Sequence, residues 1–271
     1  MIDNKIKSIK STIIYENGTI YEGETKDNMK NGEGILSVII ANDLKEIIYR
    51  GEWKNDKYDG KCYYSLFKDI NICGMQGHYE GEFKDGKING KGIFTHINGD
   101  KYEGEFVNDK SEGKGTMYFA NHNKYEGEFK NNNADGMGTM YYISGNKYEG
   151  QWTNGVKNKK GILNLNNGVR YVGQFKNGSV KGNGVYRRKN GDRYEGKFKN
   201  DAFDGKGTIY FKNGDKYKGK WKNYEKYGKG TYYFENGNKY KGIFKCNKCE
   251  DGELIICTSS FVPFNEKIFN I

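Results

Sequence analysis

A motif that returns every 23 residues is the strongest constraint on what this chain can fold into. The element Tyr-x-Gly-x-aromatic starts at Tyr79, Tyr102, Tyr125, Tyr148, Tyr171, Tyr194, Tyr217 and Tyr240, each copy 23 residues after the last. Two earlier copies start at Tyr21 and Tyr49, with spacings of 28 and 30. A fixed period of this length marks a stack of supersecondary units, each burying its apolar face only against its neighbours. About ten units cover residues 21–255, and a partial unit, Thr12 to Tyr15 followed by Asn17-Gly18, precedes them.

Within one unit, Tyr102-Glu-Gly-Glu-Phe106 alternates with period two, as an amphipathic strand does. Asn108-Asp109-Lys110 follows, then a second strand from Lys114 to Phe119 and a turn at Asn121, so each unit reads as a β-hairpin. In other units the second turn is Asn98-Gly99, Asn190-Gly191, Asn213-Gly214 or Asn236-Gly237, the dipeptide suited to a type I′ hairpin. The chain is therefore expected to be all-β, an elongated single-layer antiparallel meander of about ten 23-residue hairpins. Some 20 strands at about 4.8 Å each make about 95 Å before twist.

The core of such a sheet must be aromatic. The chain holds 39 Gly, 23 Tyr and 15 Phe with a single Pro, and too little Leu, Ile and Val for a thick two-layer interior. Its aromatic content also separates it from lysine- and asparagine-rich disordered chains. Pairs such as Gly113-x-Gly115, Gly136-x-Gly138, Gly205-x-Gly207 and Gly228-x-Gly230 suggest two bare positions on one face, a trough with Phe106, Phe129, Phe198 and Trp221 as its expected occupants. Burial of a large ring, worth about 1.5 to 3 kcal/mol, offsets the backbone entropy lost at glycine.

The unit Tyr-x-Gly-x-(Trp/Phe)-x-x-Gly-x-x-x-Gly-x-Gly resembles the MORN (membrane occupation and recognition nexus) repeat over about 235 residues. The resemblance implies a twisted antiparallel sheet with a grooved aromatic face. It also implies scaffolding, dimerisation or membrane-associated cytoskeletal work, as in radial-spoke heads and junctophilins. Departures are local: Cys62 and Lys159 stand where the repeat has glycine, and Thr25 where it has an aromatic ring. Three segments follow: a partial hairpin at 1–20, the repeat array at 21–255, and a capping tail at 256–271. Insertions at Ile35 to Ile48 and Tyr63 to His78 read as lengthened hairpin arms or as longer loops.

No constellation breaks the repeat as an active site would, so the chain reads as a non-enzyme without a cofactor. His78, His96 and His122 are isolated, and the Gly-x-Gly triplets lack the GKS/T and strand-to-helix context of a phosphate loop. Some enzymes that carry MORN repeats have a separate catalytic domain; with about 16 residues after the last unit, none is expected here. Cys246-x-x-Cys249 with Cys257 is the one motif with metal potential. Tetrahedral zinc needs four ligands, so two chains would have to complete the site. Reduced, unliganded thiols are the preferred reading, in keeping with a cytoplasmic protein, peripheral to membrane or cytoskeleton. The N-terminal segment has no secretory core, Ile2 rules out myristoylation, and no stretch approaches a membrane span.

Two binding surfaces are expected. The first is an aromatic groove for a helical or extended protein segment: Tyr79, Phe83, Tyr102, Phe106, Tyr125, Phe129, Tyr148, Trp152, Tyr171, Phe175, Tyr194, Phe198, Tyr217 and Trp221, with one set of rings part exposed. The second is an anionic-surface patch. Residues 171–250 hold 20 Lys and Arg against eight Asp and Glu, whereas residues 1–170 hold 24 of each. Arg193, Lys197, Lys199, Lys216, Lys218, Lys220, Lys222, Lys239, Lys241 and Lys245 form this patch, suited to a peripheral membrane or phosphoinositide tether. A homodimer and a regulatory subunit of a lipid kinase rest on family analogy. Nucleic acid is not expected, since the lysines are mixed with glutamate and no nucleic-acid motif occurs.

Overall fold

A computed structural model describes residues 8–40, 44–66 and 77–255. Within it the chain runs through 21 strands. The first are β1 (Ile9–Ile14), β2 (Thr19–Lys26), β3 (Met29–Ile39), β4 (Lys45–Lys54) and β5 (Lys57–Leu66). Next come β6 (Gly77–Lys84), β7 (Lys87–His96), β8 (Lys101–Val107), β9 (Lys110–Tyr118) and β10 (Lys124–Lys130). Then follow β11 (Asn133–Tyr141), β12 (Lys147–Thr153), β13 (Val156–Asn164), β14 (Arg170–Lys176), β15 (Ser179–Arg187) and β16 (Arg193–Lys199). The last are β17 (Ala202–Tyr210), β18 (Lys216–Lys222), β19 (Glu225–Tyr233), β20 (Lys239–Lys245) and β21 (Lys248–Ile255). They form an antiparallel sheet, the all-β meander of hairpins that the period implied.

Two units divide the chain, residues 1–136 and 137–271. In the first, each strand from β1 to β10 pairs with the next. In the second, each strand from β12 to β21 does the same. The first insertion forms lengthened arms, since Ser37 to Ile39 pair with Ile47 to Lys45. Part of the second pairs up to Leu66 and Gly77, and residues 67–76 lie outside the described residues.

The type I′ turns sit at the first turn of each hairpin, not at the second as expected. Asn108 and Asp109 both have positive φ, +48° and +68°, which is the type I′ signature. At the second turn only the third loop residue has positive φ, a glycine in most units and His122 in one: Gly99 N–H donates to the His96 carbonyl, and His96 N–H to the Asp100 carbonyl. That is a three-residue loop, a type I turn followed by a left-handed glycine, so an Asn-Gly pair serves it without being a type I′ turn.

The first turns also staple neighbouring hairpins. Asp109 N–H donates to the Ile88 carbonyl at 3.0 Å, and Asp109 Oδ1 accepts the Ile88 N–H at 2.8 Å. Asn132 repeats the exchange with Ser111, Asp201 with Val180, and Asn247 with Lys226. Asp and Asn are suited twice over to this position, because they tolerate the left-handed conformation and their side chains accept across the repeat boundary.

Every hairpin core is built around one tyrosine. Tyr102 lies over Gly104 of its own strand and over Gly115, the residue paired with Gly104 across the hairpin. A Cβ on Gly115 would stand 2.5 Å from Tyr102 Oη and 2.6 Å from its Cζ. The ring therefore needs both positions bare. Its hydroxyl donates to the Glu105 carbonyl at 3.0 Å, at the β-bulge between Gly104 and Glu105. Tyr148, Tyr171 and Tyr194 repeat this bond to Gln151, Gln174 and Lys197.

The occupant of the glycine platform is thus Tyr102, Tyr194 or Tyr217, not Phe106, Phe129, Phe198 or Trp221 as expected. The reason is the bulge. Gly113 has φ +66°, and a Cβ there would meet the Glu105 carboxylate, so the two glycines of Gly113-x-Gly115 do not share a face. Phe129 instead pairs across with Gly113, and its ring stands edge-on between Tyr102 and Tyr125, with centroids 4.9 and 5.2 Å away. In the second unit the alternation runs Tyr148, Phe175, Tyr171, Phe198, Tyr194, Trp221, Tyr217, Phe244, Tyr240, each contact T-shaped. Such contacts add about 0.5 to 1.5 kcal/mol each beyond area burial.

Candidate functional site

The rings expected to form an open groove are core. Tyr79, Phe83, Tyr102, Phe106, Tyr125, Phe129, Tyr148, Trp152, Tyr171, Phe175, Tyr194, Phe198, Tyr217 and Trp221 are all buried, none more than 6% exposed. The expectation that one set would be part exposed is corrected by the residues that close over them. Ile88, Val180 and Phe203, just after the first turns, are buried in the same layer, and Phe203 stacks on Tyr194 at 3.8 Å. At this position three units place a lysine. Lys226 Nζ lies 5.0 to 5.6 Å from the Tyr232, Tyr217 and Phe211 ring centroids, and Lys30 and Lys157 lie over rings in the same way. Burial among these rings holds the Lys226 ammonium below the usual lysine range.

The same burial moves the tyrosines upward. Desolvation, aided by nearby carboxylates, pushes the Tyr21 and Tyr102 hydroxyls up to about 12. Cys62, a buried thiol standing where the repeat has glycine, is likewise pushed up to about 12 by burial.

The alternate positions face outward and line two open grooves. In the first unit a groove of about 970 Å³ is bounded by Glu80, Glu82, Glu103 and Glu105 with Arg50, Lys61, Lys91 and Lys114. In the second unit a groove of about 1060 Å³ is bounded by Lys206, Lys218, Lys220, Lys229 and Lys241, with Thr208, Thr231, Asp251 and Glu253. Glycines Gly207, Gly219, Gly230 and Gly242 contribute backbone to its lining. A third space in the second unit, about 490 Å³, has Met137, Ile162 and Val172 in its wall.

The expected basic patch is divided by the structure. Lys218, Lys220 and Lys241 come together in the second groove. Arg193 pairs with Glu195 at 2.6 Å and lies over Tyr210, Lys245 pairs with Glu250 at 3.4 Å, and Lys216 lies over Tyr233. Lys197, Lys199, Lys222 and Lys239 are not part of the groove wall. Sequence reasoning missed Lys206 and Lys229, which belong to second strands; a register counted across the second turn would have found them.

Among the described residues no group of three His, Cys, Asp or Glu is placed to hold a metal ion. Cys246 and Cys249 carry free thiols, and Cys249 Sγ lies 3.0 Å from Tyr240 Oη; Cys257 lies outside the described residues. His78 Nδ1 sits 2.9 Å from Ser65 Oγ in a cross-strand pair, and His96 Nδ1 accepts the Asn98 N–H. No helix among the described residues is long and apolar enough to cross a membrane.

A sheet of stapled hairpins, cored by one tyrosine per unit and grooved on its charged face, defines a tandem hairpin-repeat protein. The chain belongs to the MORN repeat family. The family's model matches residues 21–37, 49–66, 79–101, 102–124, 125–147, 148–170, 171–193, 194–216 and 217–239. Nine repeats are matched, and the hairpin that starts at Tyr240 follows them with the same β20–β21 pairing. A search among curated proteins found no match. MORN repeats are a scaffold type of repeat, associated with membrane- and protein-binding repeat proteins.

Proposed function

We propose that this chain is a non-catalytic scaffold that holds a segment of a partner protein in the grooves of its charged face. The observation that carries this reading is the division of labour between the two faces. The aromatic rings are spent on the core, whereas the alternate positions surround open grooves of about 970 and 1060 Å³. Each groove is concave, mixes glycine backbone with charged side chains, and is close to the size of ligand-binding clefts. Photo-crosslinking residues placed at Glu103 and Lys220, inside the grooves, and at Val107 and Tyr224, exposed elsewhere, test it in the native cell. Crosslinks to a protein from the groove positions support the reading; crosslinks from the other positions alone overturn it.

A second reading, a peripheral tether to an anionic membrane, draws on the lysine surplus of residues 171–250. A lysine near such a surface contributes about 1 kcal/mol, so a handful would give weak, salt-sensitive attachment.

A further inference from the structure

We propose that the charged face of the second unit takes an acidic peptide segment with an apolar anchor: the partner's carboxylates meet the lysines around Lys218 and Lys220 in the larger groove, and its apolar side chains rest on Val172 and Ile162 in the wall of the smaller space. This rests on the reading that the charged face is the binding face. The register supplies the argument. Ile162 pairs with Val172, Val172 with Val185, Val185 with Glu195, Glu195 with Thr208, Thr208 with Lys218, Lys218 with Thr231, and Thr231 with Lys241. One row across the strands thus runs from apolar residues, through Glu195, which Arg193 pairs, to lysines. Val172 is 40% exposed, an isopropyl group where most units carry glutamate.

The lysines of this row, Lys218 and Lys241, stand where other units carry the glutamate of an ion pair. In the same unit Lys147 pairs with Glu149 and Arg193 with Glu195, two residues apart on one strand face. At the next two copies the glutamate is replaced, leaving Lys216 beside Lys218 and Lys239 beside Lys241. Lys206 and Lys220 stand directly opposite each other across β17 and β18, a like-charged pair that costs stability unless an anion lies between. Thr208 and Thr231 flank Lys218 and offer hydroxyl donors to the same anion.

Length and shape select the occupant. Val172 and Lys218 lie four strands apart, about 19 Å at about 4.8 Å per strand. A segment of about six residues if extended, or about 13 if helical, spans that distance. The lysines surround a concavity about 1060 Å³ in volume, which a peptide enters and a flat bilayer bridges.

The test uses the full chain and two fluorescein-labelled peptides, octaglutamate and a peptide of Leu-Val-Leu, a Gly-Ser spacer of about ten residues to span the row, and four glutamates. Vesicles of phosphatidylcholine with phosphatidylserine are the third probe. Both peptides should bind at low salt, the anchored one more tightly. The triple variant Lys218→Glu, Lys220→Glu, Lys241→Glu should weaken both at least tenfold. Glu103 and Glu105 already occupy the first two positions in an earlier unit, so the sheet tolerates the change. The pair Lys218→Gln, Lys241→Gln, which adds no acid, should weaken both by a smaller factor. Val172→Glu should weaken the anchored peptide alone. Peptides that fail to bind, binding unchanged in the lysine variants, Val172→Glu acting equally on both peptides, or vesicles bound where peptides are not would each overturn the proposal. Any of these results leaves crosslinks from Glu103 in the first unit untouched, so the wider scaffold reading is judged separately.

Discussion

The ring of Tyr102 fills the space that a side chain on Gly115 would need, its Oη 2.5 Å from where that Cβ would stand. Gly115→Ala must therefore displace the ring or open the hairpin, because the paired Gly104 backbone closes the other side. Overpacking of this kind costs about 1 to 3 kcal/mol. The denaturation midpoint should fall accordingly. Tyr102→Phe, which removes only the hydroxyl bond to Glu105, should cost about 1 kcal/mol. An alanine variant as stable as the parent would show that the ring does not rest on this glycine.

Asp109 separates two contributions at one turn position. Asp109→Gly keeps the positive φ and loses the bond from Ile88 N–H, so a loss of about 1 kcal/mol is expected. Asp109→Ala loses the bond and adds left-handed strain of about 1 to 2 kcal/mol. Thermal unfolding of the pair should rank glycine above alanine; the reverse order would refute the type I′ assignment at this turn.

High pH should unfold the sheet through its tyrosines. Tyr21, Tyr102 and Tyr171 are raised from 10.0 to about 12, first by burial. The folded state holds these protons more tightly than the unfolded chain. The stability they contribute is fully present below pH 10.0 and is lost as pH rises toward about 12. Tyrosinate absorbance and circular dichroism should therefore change together in that window. Ionisation of most tyrosines near 10.0 with an intact sheet signal would contradict the burial.

Thiol chemistry should distinguish two cysteines. Cys62 is buried, with its thiol raised to about 12, whereas Cys246 is exposed on a turn. Iodoacetamide followed by peptide mass mapping should label Cys246 in the native protein and Cys62 only after denaturation, since the thiolate is the reacting species. Equal labelling rates would place Cys62 at the surface.

The 23-residue period, the hairpin per unit and the all-β class were legible because they are local. Strand alternation, turn residues and repetition are written in consecutive residues, and Tyr102-Glu-Gly-Glu-Phe106 already assigns its rings to one face and its carboxylates to the other. The local excess of lysine after residue 171 was legible for the same reason.

What the tertiary structure decided depends on the phase between strands. The bulge between Gly104 and Glu105 shifts the register within each hairpin, and a one-residue shift exchanges the faces. That shift gives Gly113 to Glu105 and Gly115 to Tyr102, while the unshifted register across the second turn sets Lys206 against Lys220, none of which composition or period reveals. Whether a ring is core or surface was decided by what packs over it. Ile88, Phe203 and the stapled turns close the aromatic layer, and the charged face is left to form the grooves. Local pattern names the two faces of a strand, but only the packing of neighbouring hairpins determines which face is withdrawn from water.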